Sequence, residues 1–449
     1  MIHSSDSSLS LTPSYQPGLN SLQKLSMTLG FTGLLVGIIG FNGHQIPYVS
    51  SLLISLILTG IGIMGYAYGL YRNQKKGIKN NYIWSRSLSN RGMIAWVLAL
   101  MITGFYILLY FFPESLGWGE LRNTGLIALF DPLSNWIKHT PASQWFVYGV
   151  FYTLAILCFG VKFLLKYKGN RYQQLRTVSV MFFQLCFAFL IPEILERLNQ
   201  PSMDLKNMWP LNYYFFFDWN LDKLRSGGTL GLFMLGWGIA LILVISPILT
   251  YFYGKRWYCS WVCGCGGLAE TAGDPFRQLS DNSLRAWKIE RWLVHSVLIF
   301  ALGMTALVLY TYVTGKSNFL FMNSYAVREW YGFLIGAVFS GVVGVGFYPL
   351  MGSRVWCRFG CPMAAILGIQ QRFFSRFRIT TNGGQCISCG NCSTFCEMGI
   401  DVRHYAQRGQ NIVRASCVGC GICASVCPRG VLKLENGTMD LFQKSEIHD

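Results

Sequence analysis

Long apolar stretches alternate with short polar ones along most of the chain. A bilayer core is about 30 Å thick, so a helix of roughly 20 apolar residues crosses it. Stretches near that length fall at residues 25–41, 46–71, 92–112, 145–165, 177–191, 229–253, 293–314 and 331–350. The fifth is short and is expected to run past Pro192. This pattern predicts an α-helical polytopic membrane bundle of about eight transmembrane helices. Residues 1–24 are polar and Ser-rich, and are expected to be mobile. No basic segment leads directly into an apolar one there, so no cleaved signal peptide is expected. The transmembrane domain is assigned to 25–374, and a polar C-terminal domain without a span to 375–449.

Composition agrees. Of 449 residues, 52% are hydrophobic and 13% charged, against about 25% charged in soluble domains. That excludes a disordered chain, a coiled coil and an ordinary soluble enzyme. The net charge of +17 reads as a topology signal, because Lys and Arg gather in cytoplasmic connections. Connections 72–91, 166–176 and 254–292 are basic, whereas 113–144 and 315–330 carry two basic residues each, and 192–228 offsets four with five carboxylates. The alternation puts both termini in the cytoplasm, with the bundle in the bacterial inner membrane. Lipid is then a partner and nucleic acid is not.

The fifteen cysteines narrow the chemistry, since thirteen lie between Cys259 and Cys427. Cys386-x2-Cys389-x2-Cys392-x3-Cys396 repeats 31 residues later as Cys417-x2-Cys420-x2-Cys423-x3-Cys427-Pro428. Zinc sites normally pair their cysteines. Two runs of four match two-cluster bacterial ferredoxins, in which the fourth cysteine of each run serves the other cluster. The expected [4Fe–4S] ligand sets are Cys386, Cys389, Cys392 and Cys427, and Cys417, Cys420, Cys423 and Cys396. The C-terminal domain is therefore read as an α+β two-cluster ferredoxin-like fold. One departure is Glu397, where the second run has Pro428.

A second repeat follows the sixth and eighth apolar stretches, at 256–268 and 354–363. Arg256-Trp257-Tyr258-Cys259 and Cys263 match Arg354-Val355-Trp356-Cys357 and Cys361 at an offset of 98. Four thiolates, Cys259, Cys263, Cys357 and Cys361, would meet at the cytoplasmic membrane edge, with Cys265 as an alternate ligand. Soft sulfur donors suit an iron–sulfur cluster, zinc or copper. A third iron–sulfur site is the reading adopted; copper or a redox-active thiol pair is the alternative. Cys158 and Cys186 stand alone in apolar runs and read as inert packing.

These residues resemble the NapH/NosR/CcoG class of membrane-bound polyferredoxins over roughly residue 229 to the end. The first motif departs from the class by having Gly264 and Cys265 in place of the expected Pro and its neighbour. The resemblance implies iron–sulfur electron transfer with the quinone pool and with other respiratory or assembly subunits. It also implies the alternative of metal reduction, copper above all, during oxidase assembly. A structural subunit with non-redox clusters is a further alternative. Quinone chemistry moves protons, and His295, Glu270 and Glu290 flank the cysteine site in sequence. Ser226-Gly227-Gly228-Thr229 is similar to the element on which some membrane redox proteins attach flavin to Thr. A helix start capped by Thr229 is preferred, and FMN is not expected.

Overall fold

The computed structural model describes residues 19–42, 48–72, 91–119, 122–319 and 322–436. Most of the polar N-terminal segment, His44, the basic connection 73–90 with Trp84, and residues 437–449 lie outside them.

Among the described residues, eight helices are long and apolar enough to cross a membrane. We label them α1 (Ser21–Asn42), α2 (Tyr48–Tyr71), α3 (Met93–Phe111), α4 (Gln144–Lys166), α5 (Arg171–Arg197), α6 (Gly228–Tyr253), α7 (Leu284–Thr314) and α8 (Ser324–Val343). Caps rather than apolar runs fix several starts. Asn170, Ser283 and Asn323 accept from the backbone N–H of Gln173, Ala286 and Tyr325 at 3.2, 3.2 and 2.9 Å. Hence α5 and α7 begin earlier than apolarity alone predicts, and α8 begins earlier and stops sooner. The fifth helix does continue past Pro192. A proline inside a helix removes one N–H and crowds the preceding turn. Here wide π turns at Phe183–Leu190 and Leu241–Ile245 precede Pro192 and Pro247.

Small residues let α1 and α2 approach closely. A methyl group at Gly62 would lie 2.6 Å from Gly30 Cα, and one at Gly33 2.6 Å from Thr59 Oγ1. Outward faces are apolar, as lipid contact requires; Leu100 and Met101 of α3 are about two-thirds exposed. Tyr331, near the start of α8, is buried against Phe217 and Met304.

Two connections fold into the bundle from opposite sides. After α6, Gly254 turns the chain at φ +67°, and short helices follow at Arg256–Cys259 and Gly264–Thr271. From the other end, residues 198–217 run inward. Leu205 O accepts from Trp237 Nε1 at 2.7 Å, and Trp209 Nε1 donates to Thr305 Oγ1 at 2.9 Å. Irregular backbone is tolerated at that depth because protein surrounds it.

Helix α9 (Pro362–Phe374) leads into the C-terminal domain. There β1 (Phe377–Thr381) pairs antiparallel with β2 (Leu432–Asn436), Ile379 opposite Leu434. Short helices at Asn391–Thr394 and Ile422–Ser425 start after Gly390 and Gly421, both left-handed. The domain rests on the bundle through Tyr172 OH to Gly419 O, Gln173 Nε2 to Cys420 O and Ser260 Oγ to Val418 O, each 2.8 Å.

Candidate metal centres

The C-terminal domain contains two hollows lined by cysteine. Cys386, Cys389, Cys392 and Cys427 surround one of about 340 Å³. Cys396, Cys417, Cys420 and Cys423 surround one of about 370 Å³. The fourth cysteine of each run thus lines the hollow of the other. Turns hold the backbone around the sulfurs; Ile400 N–H donates to Cys396 Sγ at 3.4 Å. Burial pushes the Cys392 thiol up to about 12 and the Cys396 thiol up to about 11. Proton loss there therefore needs the compensation that metal ligation supplies.

A single zinc or copper ion requires several donors converging on one point, with Zn–S near 2.3 Å. Among the described residues, no three His, Cys, Asp or Glu converge in that way. Four thiols around a hollow suit a cluster of several metal atoms instead. The first hollow is open to solvent, with exposed Ile387, Arg403 and Arg429 at its rim. The second is closed by Ile379, Ile400, Val402 and Ile412, all about 2% exposed or less.

The third group is in the bundle. Cys259, Cys263, Cys357 and Cys361 are each 6–7% exposed and share one apolar cluster with Cys392, Cys417 and Cys423. Arg354 Nη1 touches both Cys259 O and Cys357 Sγ, so the two motifs meet. Cys265 packs against the same cluster as Cys263. Cys357 sits in the wide turn Trp356–Gly360, and Cys361 caps α9, its sulfur 3.4 Å from Ala364 N.

The first motif reaches into the bundle at its C-terminal half. A Cβ at Gly264 would meet Gln184 Oε1 at 2.7 Å and Tyr152 Cε1 at 3.4 Å, whereas Ser260, beside Cys259, stays bonded to Val418 O of the C-terminal domain. Gln184 and Tyr152 lie near the midpoints of their helices, roughly 20 Å from the ends that face the C-terminal domain. The short helix Gly264–Thr271 carries the motif inward, which a loop reading of its glycines missed.

Glu270, Glu290 and His295 each take different partners. Glu270 is buried and paired with Arg176 and with Arg354 at 2.5 Å. Glu290 pairs with Arg358 at 2.7 Å. His295 is half-buried, its Nδ1 2.5 Å from Arg291 O on its own helix. Both carboxylates are held by guanidinium groups, so their proximity in sequence reflects ion pairing. Thr229 is exposed within the first turn of α6, whose N-cap is Gly227. The expected threonine cap is therefore absent from this helix start.

Sequence reasoning also missed a buried ionic network between the second hollow and the bundle cysteines. Arg354 Nη1 is 3.6 Å from Cys357 Sγ and 3.2 Å from Cys259 O. Its Nη2 is 3.0 Å from Glu397, which pairs with Arg277 at 2.9 Å. Asp274 continues the chain to Arg277 at 3.5 Å, Lys166 at 2.9 Å and Lys162 at 3.7 Å. Five cations thus face three carboxylates, Glu270, Asp274 and Glu397. A surplus of buried positive charge suits anionic thiolate clusters on either side. The signals in sequence were Glu397 in place of proline and the repeated Arg before each motif.

Comparison with known proteins agrees with this chemistry. Residues 385–432 match the family described as a 4Fe-4S dicluster domain. Residues 235–282 and 332–380 each match the family described as a 4Fe-4S binding domain. The chain is 26% identical to YccM of Escherichia coli strain K12, which carries the name of an electron transport protein, over 172 residues. That covers 36% of this chain and 47% of YccM, about half the relative's length. It is 29% identical to MauN of Paracoccus denitrificans, a methylamine utilization ferredoxin-type protein, over 42% of this chain and 69% of MauN. It is 27% identical to an uncharacterized protein of Methanocaldococcus jannaschii, over 47% of this chain and 76% of that protein. No solved structure gives a significant match.

Proposed function

We propose that this chain, which fits the family of membrane-bound polyferredoxins, passes electrons between the quinone pool and redox partners at the surface of its C-terminal domain. The observation that carries the reading is the single apolar cluster containing cysteines of all three groups. One group opens to solvent, one is enclosed, and one is sunk among the spans. Cys386, Cys389, Cys392 and Cys427 would hold the first [4Fe–4S] cluster. Cys417, Cys420, Cys423 and Cys396 would hold the second. Cys259, Cys263, Cys357 and Cys361 would hold a third, with Cys265 beside them. Bound clusters supply one-electron storage. The protein's own residues fix the order of the sites, exclude water from the inner two, and compensate their charge.

Arg403 and Arg429 flank the exposed hollow, so a partner presenting acidic groups fits there. A quinone would reach the third site from within the bilayer. The basic connections 166–176 and 254–292 share the side of the C-terminal domain, which supports a cytoplasmic location for it in a bacterial inner membrane. The test is iron and sulfide analysis with EPR on full-length protein, followed by addition of a quinol analogue. About twelve iron atoms per chain, as three [4Fe–4S] clusters require, with quinol-reducible signals is the expected result. About eight iron atoms would remove the third site. Clusters inert to quinol and to any mild donor would favour a structural subunit.

A further inference from the structure

The segment entering from the side opposite the C-terminal domain brings a charge to the bundle cysteines. Lys206 Nζ lies 3.7 Å from the position a Cβ on Gly264 would take, between Cys263 and Cys265. Its side chain is 8% exposed and its partner is Asp204, at 3.0 Å. Met208, two residues on, is 1% exposed within the same apolar cluster as Cys259 and Cys263. An ionisable group at this depth is costly and calls for a reason. The second motif has Pro362 at the position matching Gly264; here a Cβ would press on Gln184 Oε1 at 2.7 Å and would be in ordinary contact with Lys206 Nζ at 3.7 Å. The ammonium group thus lies against the backbone between Cys263 and Cys265.

We infer that Lys206 is a positioning residue that sets the reduction potential of the bundle cysteine site from the face opposite the C-terminal domain. This rests on the reading that the bundle cysteines hold a cluster. A nearby cation stabilises the more negative, reduced state, and weak screening inside the bundle preserves the effect. Asp204 opposes it by partly neutralising the ammonium. Lys206 is thus distinct from Arg354, which approaches the same site from the network shared with the C-terminal domain.

The test is an EPR-monitored redox titration of the full-length, cluster-loaded protein and three variants. Lys206→Gln should lower the midpoint of the bundle site and leave both C-terminal midpoints in place. Asp204→Asn should raise the bundle midpoint. Lys206→Arg should restore the wild-type value closely. An unmoved bundle midpoint, shifts of one sign in Lys206→Gln and Asp204→Asn, or equal movement of all three sites would overturn the inference. So would loss of the bundle signal in all three variants, which would mark a packing role. Wild-type iron content reads the proposed function separately: a full count with unmoved midpoints rejects only the role of Lys206, whereas about eight iron atoms reject both.

Discussion

Glu397 shows how one side chain joins two sites. It occupies the place that Pro428 holds in the other run, and it is fully enclosed between Arg277 and Arg354. Burial alone would raise its pKa, but Arg277 and then Arg354 overcome burial and hold the carboxyl at about 2. Removing one member of a buried pair costs about 3–5 kcal/mol, because the other charge is left uncompensated. Glu397→Gln should therefore destabilise the junction by that order, read as earlier loss of cluster absorbance in thermal melts. Glu397→Asp should recover part of it. Asp274 gives the corresponding pH dependence. Burial opposes its ionisation, yet Lys166, Lys162 and Arg277 hold it below its ordinary value of 3.8. A depressed carboxyl stabilises the fold fully above the unfolded pKa and progressively less as pH falls toward the folded one. Tryptophan fluorescence of the apoprotein should show unfolding that steepens below pH 3.8, and Asp274→Asn should flatten that step. At this scale the cysteines were legible because their spacing is local. The network was not, because Arg176, Glu270, Arg354 and Glu397 come from four distant stretches.

Helices were legible wherever apolarity or a cap marks them, and depth was not. The eight spans follow from length and hydropathy, but 256–271 is too short and too rich in glycine to read as membrane-embedded. Its depth comes from Gly264 and Gly267, which allow close approach to Gln184, Tyr152 and Ile156. Nothing in the aromatic run Trp209 to Trp219 of the opposing segment indicates that Lys206 would reach the cysteines. Glycine also decides how α1 meets α2. A side chain at Gly62 would strike the backbone of Gly30, which cannot rotate away. Overpacking of this kind costs about 1–3 kcal/mol, so Gly62→Leu should lower the thermal midpoint of the purified protein. Gly104→Leu is the control, since no atom lies within 4 Å of its Cβ position. Equal effects of the two substitutions would mean that helix contact is not the cause.

The proposed electron path runs through the three cysteine groups in line, with the enclosed C-terminal group in the middle. Cys392 of the first site and Cys396 of the second share the short stretch 392–396, and Ser260 and Arg354 connect the second with the bundle. On the proposed reading the second site is the intermediate step, because Ser260 and Arg354 join it directly to the bundle. On that proposal a soluble donor enters at the exposed rim near Arg403 and Arg429, and a quinol enters from lipid. Cys420→Ala removes one expected ligand of the middle site while leaving the other two ligand sets intact. A membrane-impermeant donor should still reduce the first site at the wild-type rate, and rapid-freeze EPR should show the bundle site lagging by a factor of ten or more, roughly the effect of one added 1.4 kcal/mol barrier. A quinol analogue should reduce the bundle site of the same variant normally. Fast reduction of the bundle site by the soluble donor would require a path around the middle site, and the linear order would then be wrong.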